Sequence, residues 1–360
     1  MTAQHFIPKN ISQTRPEGQV AWEAPSNIAL IKYWGKRDNQ IPENPSLSFT
    51  LSNCKTITTL SYKKKTSEAD FSFEVFLDGN KQDDFKPKIQ TFFERVLPYV
   101  PFLKDYHFTI ETKNTFPHSS GIASSASGMS ALALCLMSIE KTLVSDPIQD
   151  SYFNQKASFL ARLGSGSACR SIEGDIVVWG ENEVVSGSTN LFGVKYPYAV
   201  HDIFKSYQDT ILLVDKGEKQ VSSTVGHNLM HNHPYANNRF KQAHKNLESL
   251  KTILETGNLD AFNALVESEA LTLHAMMLTS MPYFILMKPN TLQVINAIWA
   301  FRQKTGLPIS FTLDAGANVH VLYPERDAAP IMAFINKDLR KFCQNEQFIS
   351  DQIGFGANRI

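Results

Sequence analysis

Residues 114–127, Asn-Thr-Phe-Pro-His-Ser-Ser-Gly-Ile-Ala-Ser-Ser-Ala-Ser, put Gly121 and a run of serines directly ahead of a helical pattern at 128–141. Such a loop can bind phosphate. Glycine lets the backbone approach an anion closely, serine hydroxyls donate hydrogen bonds, and the first helical turn offers free N–H groups at the positive end of its dipole. Serine is also a preferred helix N-cap, so the loop alone reads equally well as a turn capping a buried helix. Two further segments bring charge. The run Ala-Pro-Ser-Asn-Ile-Ala-Leu-Ile at 24–31 is apolar and strand-like and stops at Lys32-Tyr33-Trp34-Gly35-Lys36-Arg37-Asp38, and residues 163–171, Leu-Gly-Ser-Gly-Ser-Ala-Cys-Arg-Ser, form a second Gly/Ser loop carrying Arg170.

With Thr-Leu-Asp-Ala-Gly-Ala-Asn at 312–318, these segments closely resemble the signature set of the diphosphomevalonate decarboxylases. That family lies within the superfamily of galactokinase, homoserine kinase, mevalonate kinase and phosphomevalonate kinase. Order and approximate spacing match from about residue 24 to about residue 323, most of the chain. The resemblance implies a two-domain α+β fold, with an N-terminal domain similar to the second domain of ribosomal protein S5, a ferredoxin-like C-terminal domain, and a site in the cleft between them. It implies ATP-dependent decarboxylation of mevalonate 5-diphosphate to isopentenyl diphosphate through a 3-phosphorylated intermediate, in isoprenoid biosynthesis, by a cytoplasmic homodimer using ATP and Mg²⁺.

Such chemistry needs a base or orienting carboxylate at the alcohol, cations for two sets of phosphates, and a fixed grip on the substrate carboxylate. Asp314, at a strand end in a Gly-containing turn, suits the first role, with Lys32 beside it. Arg170 suits the carboxylate, because a guanidinium fork takes both oxygens in parallel. The alternative for Arg170 is a structural ion pair with Glu173 or Asp175. The resemblance carries over Tyr33, Lys36, Ser165, Gly166, Ser167, Ser223 and Ala315 as substrate-binding positions. For ATP it carries over Pro117, Ser120, Gly121, Ala123, Ser124, Ser125 and Ser127, with Ser124 or Ser125 as the oxygen ligand for Mg²⁺. His118 and Ser119 stand where the family commonly has Thr and Ala, Thr224 where some members carry arginine, and His227 where methionine is commoner.

The competing readings are an ATP-dependent kinase or decarboxylase of the same fold acting on mevalonate or mevalonate 5-phosphate, and a nucleotide-binding regulatory protein without catalysis. Mevalonate kinases usually place an aspartate after the second Gly/Ser loop. Here Ala168-Cys169-Arg170 stands at that place and the candidate acid is Asp314, which favours decarboxylation. No Walker A pattern occurs, and no kinase glycine loop precedes a Val-Ala-Ile-Lys strand. His227, His231 and His233 could suggest a metal site, but the segment reads as a loop with no cysteine or carboxylate joining them.

The elements that must position these residues follow from periodicity. Alternation predicts strands at 46–51, 56–62 and 71–77, the last closed by an Asp78-Gly79 hairpin turn, and a strand at 106–112 that delivers the chain to the phosphate loop. Helical patterns occupy 85–96, 128–141 and 152–163, with a strand at 176–179. A Gly/Pro-rich stretch at 180–197 separates two halves, giving a polar, flexible lead-in at 1–20, an ATP-binding domain at 21–200 and a C-terminal domain at 201–360. The second half has strands at 210–214, 309–313 and 319–323 and helices at 235–256, 259–279 and 292–305, a mixed order that argues for α+β.

Composition permits this reading. The 360 residues, 42% of them hydrophobic, suffice for about two domains. Lys+Arg and Asp+Glu are 35 each, so no global field favours nucleic acid or a membrane surface, and any anion affinity is local. The four scattered cysteines fit a reducing compartment. The longest apolar runs fall short of the roughly 20 residues of a membrane span.

Overall fold

The computed structural model describes residues 2–11, 15–117, 122, 124–217 and 223–360, with the backbone alone for Ser223 and Thr224. Its strands in chain order are β1 (Glu17–Ile31), β2 (Lys36–Arg37), β3 (Ile41–Pro42), β4 (Ser46–Lys64), β5 (Ser72–Leu77), β6 (Asn80–Lys81), β7 (Tyr106–Asn114), β8 (Ile176–Trp179), β9 (Val194–Lys195), β10 (Gln208–Leu212), β11 (Ser310–Thr312), β12 (Val319–Tyr323), β13 (Phe348–Gln352) and β14 (Asn358–Arg359). The helices are α1 (Lys86–Val96), α2 (Ser124–Leu143), α3 (Asp150–Gly164), α4 (Ser223–Asn228), α5 (Ala236–Thr256), α6 (Leu259–Leu278), α7 (Pro289–Thr305) and α8 (Ala328–Phe334).

The larger sheet runs β14-β1-β4-β7-β5-β6, with β8 paired to β4 and β9 to β8, and the smaller runs β11-β12-β10-β13. Among the described residues only β5 and β7 pair in parallel, and α1 lies on the crossover that such a pair requires. The result is the expected α+β architecture. The predicted hairpin forms: Asp78 and Gly79 take φ of 51° and 78°, and Leu77 pairs with Asn80 across the turn.

One expectation is corrected in β4. The separate strands at 46–51 and 56–62 are a single strand, whose register against β1 jumps from Lys55 opposite Pro25 to Thr50 opposite Asn27. The backbone N–H groups of Ser52, Asn53 and Cys54 in that bulge donate to the Asp351 carboxylate at 2.9, 2.8 and 2.7 Å. An acid next to the C-terminus thus supplies acceptors that the neighbouring strand does not.

Apolar residues of α1, α2 and α3 cover one face of the large sheet, burying Leu60, Phe108 and Ile110. Ile28, Leu30, Leu47 and Phe49 belong instead to a second core, shared with Leu247, Leu250 and Leu254 of α5 and Phe262 and Val266 of α6. The distal half of β1 is therefore buried throughout, which is why it reads as a continuous apolar run rather than an alternating one. A third core lies between the small sheet and α7 and α8. The lead-in is not free where it is described: Phe6 is fully buried and stacks on Phe159 at 4.6 Å, because one aromatic ring in a polar stretch finds an apolar seat against α3. The division at residue 200 is also incomplete, since β14 returns to pair with β1. Among the described residues no helix is long and apolar enough to cross a membrane.

Candidate active site

The chain leaves β7 through Phe116 and Pro117 and enters α2 at Ser124, four residues before the predicted start. His118, Ser119, Ser120, Gly121 and Ala123, at the tip of the predicted phosphate loop, lie outside the described residues. Ser124 and Ser125 stand in the first turn of α2 and line a cavity of about 250 Å³ together with Lys88, Asn114 and apolar residues of β5, β7 and α1. Lys88 Nζ donates to Ser125 Oγ at 2.5 Å. A cation, two hydroxyls and a helix N-terminus meet at one rim of an otherwise apolar cavity, a division suited to a nucleotide with a flat base and an anionic tail. Ser127 departs from its expected role: its hydroxyl is buried, 2.6 Å from Thr56 Oγ1 and donating to the Ser124 carbonyl at 3.2 Å. It braces the turn from inside and does not face an anion.

At the far end of β1, the Lys32 ammonium is 3.0 Å from Asp314 Oδ1, with the lysine side chain 2% exposed and the aspartate 31%. Lys32 is buried while Asp314 stays partly exposed. Burial pulls the lysine below its ordinary pKa, and Asp314 and then Glu269 pull it back. Its main chain is clamped as well: the Lys32 N–H donates to Glu269 Oε2 at 2.9 Å, and its carbonyl accepts from Asn44 Nδ2 and Arg239 Nη2 at 2.9 and 3.3 Å. Glu269 also accepts from Arg239 Nη1 at 3.0 Å and Asn246 Nδ2 at 2.6 Å. The Asp314 carbonyl takes hydrogen bonds from the Gly316 N–H at 2.7 Å and from His274 Nε2 at 3.1 Å. Burial lowers the His274 pKa to about 4, so the ring is neutral and Nε2 carries its proton toward that carbonyl. Lys32 and Asp314 are thus both held through their backbones as well as through their ion pair.

The second Gly/Ser loop is not an open loop. Gly166–Ser171 forms a buried 3₁₀ turn, and Asn27 Nδ2 donates to the Ser167 carbonyl and Ser171 Oγ at 3.2 and 2.8 Å. That turn directs Arg170 inward. Its Nε donates to Ser48 Oγ and its Nη1 to Ser46 Oγ, both at 2.6 Å, and the guanidinium lies 5.8 Å from the Trp179 ring. The serines are two residues apart on β4 and so share a face. Neither Glu173 nor Asp175 pairs with Arg170, and Nη2 has no partner among the described residues. Arg170 is within electrostatic reach of Asp314 and Tyr33.

Tyr33 packs edge-on against Trp179 at 4.7 Å, and its buried hydroxyl has no partner among the described residues. A Cβ on Gly166 would come within 2.8 Å of that hydroxyl, so glycine there permits the contact. Ser165 and Ser167 are half-buried beside it, as is Ala315 next to Asp314. Lys36 is partly buried and donates to Gln40 Oε1 at 3.0 Å. Ser223 begins α4, its side chain outside the described residues. The three histidines of the 227–233 segment have separate surroundings: His227 Nδ1 accepts from the Gly35 N–H at 3.0 Å, His233 Nε2 lies 3.1 Å from the Met276 carbonyl, and His231 is exposed. Among the described residues no group of three His, Cys, Asp or Glu is placed to hold a metal ion.

Two family models match the chain: a diphosphomevalonate decarboxylase-like N-terminal domain over residues 24–190, and a mevalonate 5-diphosphate decarboxylase C-terminal domain over 210–357. The chain belongs to the diphosphomevalonate decarboxylase family. A diphosphomevalonate decarboxylase of Ganoderma lucidum is 30% identical over 94% of this chain and 86% of its own length. The mevalonate diphosphate decarboxylase of Staphylococcus aureus superposes with a TM-score of 0.81 at 27% identity, covering 96% of this chain and 98% of the other. A family structure solved with MVAPP, AMPPCP and magnesium gives a TM-score of 0.80 at 27% identity, covering 95% and 99%.

Within this family frame, sequence reasoning named Lys32, Asp314 and Arg170, which the structure brings together, and missed the residues that hold them. Glu269, His274 and Arg239 gave one faint signal. Each is a polar residue on the otherwise apolar face of a long helix, where burial is costly unless a partner is present. Only the packing of α5 and α6 reveals the partners: the Lys32 backbone for Glu269 and Arg239, and the Asp314 carbonyl for His274.

Proposed function

We propose that the protein catalyses ATP-dependent decarboxylation of mevalonate 5-diphosphate to isopentenyl diphosphate, releasing CO2, ADP and phosphate. The observation that carries this reading is the Lys32–Asp314 pair, open to the cleft on the aspartate side, with the buried fork of Arg170 nearby. Asp314 orients the tertiary alcohol and accepts its proton as that oxygen attacks the γ-phosphorus. The lysine ammonium keeps the carboxylate ionised and offsets the negative charge that develops. Arg170 holds the substrate carboxylate through Nη2. The attack forms an O–P bond and releases ADP; when the original C–O bond of the phosphorylated alcohol then breaks, the electrons of the bond to the carboxyl carbon become the alkene π bond, and CO2 and phosphate leave together.

The nucleoside occupies the cavity beside Lys88, and Ser124 and Ser125 meet the phosphates. Ser124 or Ser125 would supply the protein's oxygen to magnesium, which would neutralise phosphate charge; the described residues provide no group of three His, Cys, Asp or Glu to hold it. Tyr33 and Lys36 serve the substrate's diphosphate, Ser165, Gly166 and Ser167 its diphosphate or carboxylate, with Ala315 beside Asp314, and the family resemblance assigns Ser223 to the transferred phosphate. Family resemblance, together with four buried cysteines that form no disulfide, supports a cytoplasmic homodimer.

The direct test supplies ATP, Mg²⁺ and mevalonate 5-diphosphate or 5-phosphate side by side. CO2, phosphate and ADP should form in step from the diphosphate. A phosphorylated product accumulating without CO2 would move the protein to the kinase reading, and ATP binding without turnover to a regulatory one.

A further inference from the structure

His227 sits between the aromatic pair at the end of β1, with its ring 4.2 Å from that of Tyr33 and 4.7 Å from that of Trp34. The backbone fixes its tautomer. Because Nδ1 accepts the Gly35 N–H at 3.0 Å, the ring's proton must lie on Nε2. Nε2 has no hydrogen-bond partner among the described residues. A donor clamped from three sides and left without an acceptor costs free energy unless water or a ligand takes the proton.

The surroundings say which ligand. Burial, then the charges of Lys36 and Arg170, hold the ring neutral, with a pKa of about 3. A third cation at this point would be repelled by the other two; an uncharged donor adds a directional bond without that repulsion. Gly226 stabilises the arrangement from behind, since a Cβ there would come within 2.5 Å of the Trp34 ring. Cations within electrostatic reach, Lys36 before Arg170, and an N–H with no partner among the described residues suit an oxyanion with several acceptor oxygens.

We propose that His227 is a specificity-determining residue for the substrate's phosphate tail, donating Nε2–H to an oxygen of that tail beside Lys36. The proposal rests on the functional reading above. It separates His227 from the reacting end, where Arg170 and Asp314 act, and gives it a role in recognition and not in turnover.

The experiment compares wild type, His227→Leu and His227→Gln. Leucine fills the space without a donor, and the glutamine amide can reach the Nε2 position and donate there. His227→Leu should raise KM for mevalonate 5-diphosphate by about tenfold or more, with kcat and the KM for ATP changed by less than about threefold, and His227→Gln should recover most of the loss. An unchanged substrate KM in His227→Leu overturns the proposal. So does a loss shared equally by both substrates, accompanied by a lower Tm and not restored by glutamine, because the ring would then serve only to hold Gly35. Calorimetric titration with inorganic pyrophosphate keeps the two readings apart: if wild type does not decarboxylate the diphosphate, weaker pyrophosphate binding by His227→Leu still supports the tail contact, and equal binding refutes it.

Discussion

Arg170→Lys is the substitution that separates charge from geometry at the site. In the native protein two hydroxyls of β4 hold the guanidinium through Nε and Nη1, and Nη2 has no partner among the described residues. A lysine ammonium keeps the positive charge but is a single point with no planar fork, so it cannot occupy both serine positions and still present a donor to the substrate. Each lost hydrogen bond from a charged donor to a buried hydroxyl costs about 1.5–3 kcal/mol in stability, partly recovered if the ammonium takes one serine. On that arithmetic the variant should unfold at lower urea concentration, with a deficit of about 2 kcal/mol. Catalysis should fall further than folding does: loss of the grip on the carboxylate should cut decarboxylation by more than about tenfold, or about 1.4 kcal/mol of transition-state stabilisation. Urea unfolding is measured beside steady-state CO2 release, with Ser46→Ala included as a control that loosens the tether and keeps the fork. A destabilised Arg170→Lys protein with CO2 release within threefold of wild type would refute the assignment and leave Arg170 as a structural strut.

Asp314→Asn keeps the shape of the carboxylate and removes its charge, so KM values should stay within a few-fold while turnover falls by roughly 10²–10⁴; near-normal turnover would remove Asp314 from the mechanism. Ser125→Ala should raise the KM for ATP and leave kcat for the diphosphate substrate nearly unchanged, as steady-state titration of each substrate would show. Glu269→Gln leaves the buried Arg239 guanidinium without its counter-charge and should cost about 3–5 kcal/mol by urea unfolding; a midpoint equal to wild type would show that the network carries no stability. His274 is held neutral down to about 4 by burial, so below its ordinary value the unfolded chain binds a proton that the native state refuses. Its contribution is whole above about pH 6.5 and declines as pH falls, by about 2 kcal/mol at pH 5. The urea midpoint of His274→Gln should therefore drop less than that of wild type between pH 7.5 and pH 5, and parallel drops would count against the pKa reading.

The candidate site residues were legible in the sequence because the chemistry proposed for them depends on local features. Glycines and serines ahead of a helix, a lysine after an apolar strand and an aspartate in a Gly-containing turn each keep their identity and spacing whatever the rest of the chain does. The same holds for the hairpin at Asp78 and Gly79, where two positive φ angles demand those residue types. The strand pattern failed at 52–54, where the alternation breaks and the sequence gives no sign that Asp351 caps the bulge. It failed likewise at the second Gly/Ser loop, which reads as open and folds as a buried 3₁₀ turn. Tertiary structure alone decided which polar side chains are consumed internally and which stay available. Ser127 and Ser125 are two residues apart with the same hydroxyl, yet one is spent on Thr56 inside the sheet and the other lines the cavity. The same is true of Lys32, whose place beside Asp314 is set by Glu269 and Arg239 from helices more than 200 residues further along the chain. Periodicity reports which face of an element is apolar; the partner of a buried charge is fixed only when distant elements pack, because the electrostatic cost of burial is a property of the assembled interior.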